Sequence, residues 1–137
     1  MGRELFVDTS GFYALLVRSD PKHAAARRIL RQARSERRRL LTTDYVLDET
    51  ATLLKASAQA QLAQPLFERV FQSSACRIEW TDESQFIATR DFFLKHSDQA
   101  WSFTDCASFC LMRALKLPEA LTTDVHFHQA GFVALLK

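Results

Sequence analysis

Short apolar runs, separated by longer stretches of helical periodicity, recur along the whole chain, and this alternation constrains the fold more than any other feature. Runs at residues 4–7, 40–43, 120–123 and 132–136, with a short alternating segment at 77–80, are too brief for helices and read as strands. The stretches between them place apolar residues three and four apart, as helices do. Strand and helix in turn specify an α/β fold with a parallel sheet, because parallel neighbours need a crossover and the crossover is usually a helix.

The helix signals fall where the alternation requires them. Asp20-Pro21 supplies an acidic cap and a proline at the first helical position, predicting a helix to about Arg37. A second starts near Asp44, read as its cap, with Val46, Thr50, Leu53 and Leu54 facing inward. Pro65 suits the first turn of a third, carrying Leu66, Phe67, Val70 and Phe71. Thr81 is the expected cap of a fourth, with Phe86, Ile87, Phe93 and Leu94. Ser102 with Asp105 resembles a capping box whose acid is Asp. The helix it opens is expected to bury Ala107, Cys110, Leu111, Ala114 and Leu115, and to stop before Pro118.

Four acids sit at informative places in this frame. Asp8 and Asp124 lie just past the C-terminal ends of strands, where open α/β sheets place their ligands. Glu49 and Asp105 lie early in the helices that follow such runs. Carboxylates gathered at one sheet edge repel one another and raise each other's pKa unless a cation neutralises them. Hard divalent ions such as Mg²⁺ or Mn²⁺ take oxygen ligands of this kind. The pattern points to a metal-dependent hydrolase, with Thr9 and Ser10 adding hydroxyls that can support the metal or its water. Asp48, about 100° from Glu49 around a helix, cannot enter the same site equally well.

The totals remove several classes. A chain of 137 residues with 47% apolar and 25% charged residues is expected to be one globular domain over 1–137. No apolar run approaches the roughly 20 residues that cross a bilayer, and Asp8 interrupts the first run before a signal-peptide core can form. Cys76, Cys106 and Cys110 form neither a disulfide framework nor a zinc pattern; core packing in a reducing cytoplasm is the expectation. The net charge of +2 conceals an asymmetry. Residues 1–40 hold ten Lys/Arg against four Asp/Glu, and residues 41–137 hold eight against twelve. Arg27, Arg31, Arg34 and Arg38 follow helical spacing. The simplest reading is a solvated helix face; beside an acidic metal centre, the same face can draw in a polyanion.

The segments Val7-Asp8-Thr9-Ser10, Thr43-Asp44-Tyr45-Val46-Leu47-Asp48-Glu49, Phe103-Thr104-Asp105-Cys106-Ala107 and Leu121-Thr122-Thr123-Asp124 together resemble the PIN domain, the fold of VapC-type toxins and related ribonucleases. The resemblance covers essentially the whole chain. It implies a three-layer sandwich, with helices on either side of a parallel sheet of about five strands. It also implies an endoribonuclease whose Mg²⁺ or Mn²⁺ is held principally by Asp8 and Asp105, with Glu49 and Asp124 completing the site directly or through water. Ser10 matches the hydroxyl that often supports the first acid. The implied setting is the toxin half of a type II toxin–antitoxin pair, with RNA as substrate, an antitoxin protein as partner, and a homodimer. A solitary nuclease or a module that binds RNA or a partner without cutting is the alternative; four retained acids argue against the latter. Aspartyl-phosphate transfer through Asp8 is disfavoured, since that chemistry usually wants an acid two residues later and Ser10 stands there.

Two further groups invite a role. Phe12, Tyr13 and Trp101 are candidates for stacking on unpaired bases, although aromatics at helical spacing are more often core. His126 and His128 follow Asp124 closely. They can face the acids, as metal ligand or proton donor, or form a loop pair that orders Asp124 by hydrogen bonding.

Overall fold

A computed structural model of the chain describes residues 3–137. Five parallel strands, β1 (Leu5–Val7), β2 (Leu40–Thr43), β3 (Cys76–Glu79), β4 (Glu119–Leu121) and β5 (Val133–Ala134), form one sheet in the order β3-β2-β1-β4-β5. Register is continuous across it, with Phe6 opposite Leu41 on one side and Ala120 on the other. Residues 5–7 are all buried, as expected where helices cover both faces of a parallel strand.

Four helices follow in the first half: α1 (Thr9–Leu16), α2 (His23–Ser35), α3 (Asp44–Ala56) and, after a short 3₁₀ turn at Ala60–Leu62, α4 (Ala63–Gln72). The second half contributes α5 (Glu83–Lys95), α6 (Phe103–Ala114) and α7 (Val125–Gln129). The path steps outward from β1 to β2 to β3, then crosses back to β4 and β5 on the other side of β1. Right-handed crossovers in opposite directions cover opposite faces. Accordingly α1 packs on α2 and α3, while α6 packs on α5 and α7. The result is the expected three-layer α/β sandwich. Its α6/α7 side is an aromatic core: Phe109 lies edge-on to Phe127 and Trp101, and Phe127 reaches Phe6 in the sheet.

Several local expectations are corrected. Residues 9–16 form a helix that no apolar pattern announces. Its Gly11 lies so close to the Leu121 carbonyl that no Cβ fits there. Asp20 does not cap α2: its Oδ1 accepts from the Lys22 N–H at 2.8 Å in a turn, and the helix begins at His23. Thr43, not Asp44, caps α3, its Oγ1 accepting from the Val46 N–H. Asp44 instead accepts from the Thr81 N–H and hydroxyl, bracing α3 against the segment after β3. Thr81 therefore caps nothing, and α5 opens with an Asp82–Gln85 capping box.

The buried faces also differ. Leu53, Phe67 and Phe71 are exposed, leaving Val46, Leu47, Thr50 and Leu54 on α3 and Leu66 and Val70 on α4 as the inward residues. On α5 the inward residue is Thr89, beside half-buried Phe92; Phe86 and Phe93 pack their rings on Phe103 of α6 but stay partly open to solvent, and Ile87 and Leu94 are exposed. Helix α6 buries Cys106, Ala107, Ser108, Phe109 and Met112; Cys110 and Leu111 are half-buried, and Ala114 and Leu115 are exposed. That rotation turns Asp105 toward the sheet edge. All three cysteines are free. No helix among the described residues is long and apolar enough to cross a membrane.

Candidate metal centre

The strand order reverses between β1 and β4, and a crevice opens beyond their C-terminal ends at such a switch point. Asp8 follows β1 and stands at the N-cap position of α1. Asp124 follows β4 and caps α7, its Oδ1 accepting from the His126 N–H at 2.9 Å. Asp105 reaches the same place from the first turn of α6. It and Ser102 cap each other reciprocally: the Ser102 N–H donates to Asp105 Oδ2, and the Asp105 N–H donates to Ser102 Oγ. The capping box read from the sequence is therefore present, and it holds a carboxylate in the crevice as well as starting a helix.

Hydroxyls join the two strand ends. Thr122 Oγ1 donates to Asp8 Oδ2 at 2.9 Å and accepts from the Asp124 N–H at 3.0 Å. Ser10 Oγ lies 3.3 Å from Asp8 Oδ2 and 3.0 Å from Thr122 Oγ1, and accepts from the Thr123 N–H. Thr122 was legible only as part of a strand end. Its single signal is its position, at the last strand turn before Asp124. Glu49 enters differently: its Oε1 accepts from Thr9 Oγ1 at 2.6 Å, so α3 is tied to the residue following Asp8. Asp48 is exposed on another side of α3.

Electrostatics mark the centre. Burial, helped by Asp105 and Asp124, pushes the Asp8 carboxyl up to about 7, against the pull of the Thr9 N–H and the Thr122 hydroxyl. Burial likewise raises Asp105, with Asp124 adding to it, while His126 and the Ser102 N–H pull it down. Native proteins rarely retain buried acids in such a state without a reason, and a bound cation removes the penalty. One ligand atom each from Asp105, Asp124 and His126 can lie within 4.8 Å of one another, a donor set that fits a divalent ion.

The remaining candidates separate. His126 and His128 lie on a short helix, not in a loop, and face different ways. His126 Nδ1 is 2.9 Å from Asp105 Oδ2 and 3.4 Å from Asp124 Oδ1, whereas His128 is exposed. Phe12 and Trp101 are core residues, and the Trp101 indole N–H donates to Gln129. Tyr13 is half-buried, its hydroxyl donating to Ser57. Arg27 and Arg34 are exposed and line a groove of about 510 Å³ with Phe12, Leu16, Leu66 and Val70. Arg31 is also exposed. Arg38 is engaged at the opposite edge of the sheet, with the Arg3 carbonyl at 2.8 Å and Glu119 at 2.9 Å.

Known proteins share this fold. Residues 5–133 match the family model of the PIN domain. The 23S rRNA-specific endonuclease VapC20 of Mycobacterium tuberculosis, from each of two strains, is 30% identical over 129 residues, covering 94% of this chain and 95% of the relative. The crystal structure of M. tuberculosis VapC20, described as a sarcin–ricin loop cleaving toxin, superposes with a TM-score of 0.82 at 28% identity, over 95% of this chain and 97% of that one. The likeness in sequence and in structure thus runs over nearly the whole chain, and the chain belongs to the PIN domain family.

Proposed function

We propose that this protein is a metal-dependent endoribonuclease acting as the toxin of a toxin–antitoxin pair. The observation that carries the reading is the convergence of Asp8, Asp105 and Asp124 at the switch point, where burial and the neighbouring acids push the Asp8 carboxyl up to about 7, a penalty that a bound cation would offset. Asp8, Asp105 and Asp124 would hold the ion, with Glu49 directly or through water; Mg²⁺ or Mn²⁺ bound there supplies charge neutralisation of the phosphate and activation of a water. The protein's own groups do the positioning. Thr122 and Ser10 fix the rotamer of Asp8, the Ser102 N–H fixes Asp105, and Thr9 holds Glu49 at the rim. Hydrolysis of this kind leaves a 5′-phosphate and needs no 2′-hydroxyl, so the preference for RNA rests on the likeness to VapC20.

The partners follow from the surface. Arg27, Arg31 and Arg34 provide a cationic face for RNA, while the groove that Arg27 and Arg34 share with apolar side chains suits an acidic, amphipathic segment of an antitoxin. The apolar surface of α5, with Ile87 and Leu94 and the exposed parts of Phe86 and Phe93, suits a second copy of the chain. The cytoplasm, where RNA is abundant, is the compartment of this reading.

The test is cleavage of RNA by metal-stripped protein given Mg²⁺ or Mn²⁺. Activity should return with the ion and vanish in Asp8→Asn and Asp105→Asn variants that remain folded. Full activity in excess chelator, or in both variants, would refute the assignment.

A further inference from the structure

We propose that His126 is a ligand of the metal centre, its Nδ1 joining Asp105 and Asp124 in one three-donor face that favours Mn²⁺ and Co²⁺ over Mg²⁺. The proposal rests on the metal-dependent reading above and adds a donor that the four-acid pattern does not contain.

The geometry points to it directly. Two cis donors on an octahedral ion with bonds of about 2.1 Å stand roughly 3.0 Å apart. His126 Nδ1 lies 2.9 Å from Asp105 Oδ2 and 3.4 Å from Asp124 Oδ1, distances on either side of that edge. Asp105, Asp124 and His126 form the one such group of donors among the described residues. No other side-chain nitrogen among those residues bonds to Asp8, Asp105 or Asp124.

The position of the ring is built. Asp124 Oδ1 receives the backbone N–H of His126, which starts α7 at a set distance from the acid. The next residue, Phe127, is fully buried against Phe6 and Phe109, which fixes the rotation of that short helix. His128, two positions on, is consequently exposed and serves as an internal control. As a ligand, His126 would present the Nδ1 lone pair and carry its proton on Nε2.

An imidazole nitrogen changes what the site selects. Mg²⁺ prefers oxygen and gains little from nitrogen, whereas affinity for N-containing sites rises from Mn²⁺ to Co²⁺. Loss of the ring should therefore cost Co²⁺ and Mn²⁺ affinity on the order of tenfold to a hundredfold and leave Mg²⁺ affinity within a few-fold.

Two measurements test this on the full chain. Calorimetric titration of metal-stripped wild type, His126→Gln and His128→Gln with Mg²⁺, Mn²⁺ and Co²⁺ should show the selective loss in His126→Gln alone. Pulsed electron paramagnetic resonance of the Mn²⁺-loaded wild type should show histidine nitrogen coupling, which switches isotope when the protein is labelled with ¹⁵N-histidine; this needs no variant to fold. Mn²⁺ binding without nitrogen coupling overturns the proposal and leaves the parent reading standing. Equal losses for all three ions in His126→Gln also overturn it, by making the ring a positioning residue for Asp105. Absence of any divalent-ion binding by the wild type overturns both.

Discussion

Asp8→Asn tests the physical argument for a cation without any need for substrate. Asp8 is only 3% exposed, and its carboxyl titrates near 7 instead of 3.8. Between those values the folded state keeps a proton that the unfolded chain has released, so stability falls as pH rises through this window. The full penalty is present above pH 7. At about 1.36 kcal/mol per unit, the displacement amounts to roughly 4 kcal/mol of destabilisation in the metal-free protein. Asparagine has no proton to lose and keeps an oxygen for the Thr122 hydroxyl. In chelator, Asp8→Asn should therefore gain on wild type by roughly 2–3 kcal/mol more at pH 8 than at pH 5. For a chain of this size that corresponds to a difference in Tm shift on the order of 10 °C. Thermal and urea unfolding at the two pH values measure it directly, with contributions from other titrating groups cancelling between the proteins. Adding Mn²⁺ at pH 8 should then raise wild type more than the variant, because only the carboxylate gains from the ion. Parallel pH profiles for the two proteins, or a variant less stable than wild type at pH 8 in chelator, would refute the reasoning.

Other perturbations have equally definite outcomes. Glu49→Gln should lower RNA cleavage by about 100-fold or more with little change in Tm, whereas exposed Asp48→Asn should retain most of it; the reverse ranking in a cleavage assay would move the role to Asp48. Thr122→Val preserves shape but removes the hydroxyl between Asp8 and the Asp124 N–H, which should cost about 1–3 kcal/mol in urea unfolding and weaken metal binding measured by calorimetry. Gly11→Ala should cost about 1–3 kcal/mol, since the new methyl meets the Leu121 carbonyl and drives α1 away from β4; an unaltered Tm would show that α1 is free to shift.

What could be read in advance divides along physical lines. Strand positions were legible because central parallel strands such as β1 are buried on both faces and appear as unbroken apolar runs. Edge strand β5 has only two residues in the ladder, so its apolar run overstates it. Helix α1 was hidden because Thr9, Ser10 and Gly11 are weak helix formers; contact with β4, which no local pattern encodes, holds it in place. The faces of α5 and α6 were misjudged for a related reason. Phe86 and Phe93 look like core residues but pack on Phe103 at the surface seam between α5 and α6, and Leu115 is exposed where α6 ends, while Asp105 takes a buried position on that helix. The acids stood out because carboxylates at strand ends are chemically conspicuous. Thr122 did not, since a threonine ending a strand is ordinary until the bond to Asp8 is seen.

The bonds that hold the centre together span nearly the whole chain: Thr9 to Glu49 across 40 positions, and Thr122 to Asp8 across 114. No continuous segment contains a working fragment of it. A nascent chain that has emerged only as far as Pro118 already carries Asp8, Glu49 and Asp105, yet it lacks β4, the Thr122 hydroxyl and Asp124. Domains fold as units once the pairing partners are available. Nuclease activity should therefore appear as a single late event in biogenesis, when β4 docks beside β1, and a ribosome stalled upstream of that point would carry a chain with nothing to cut with.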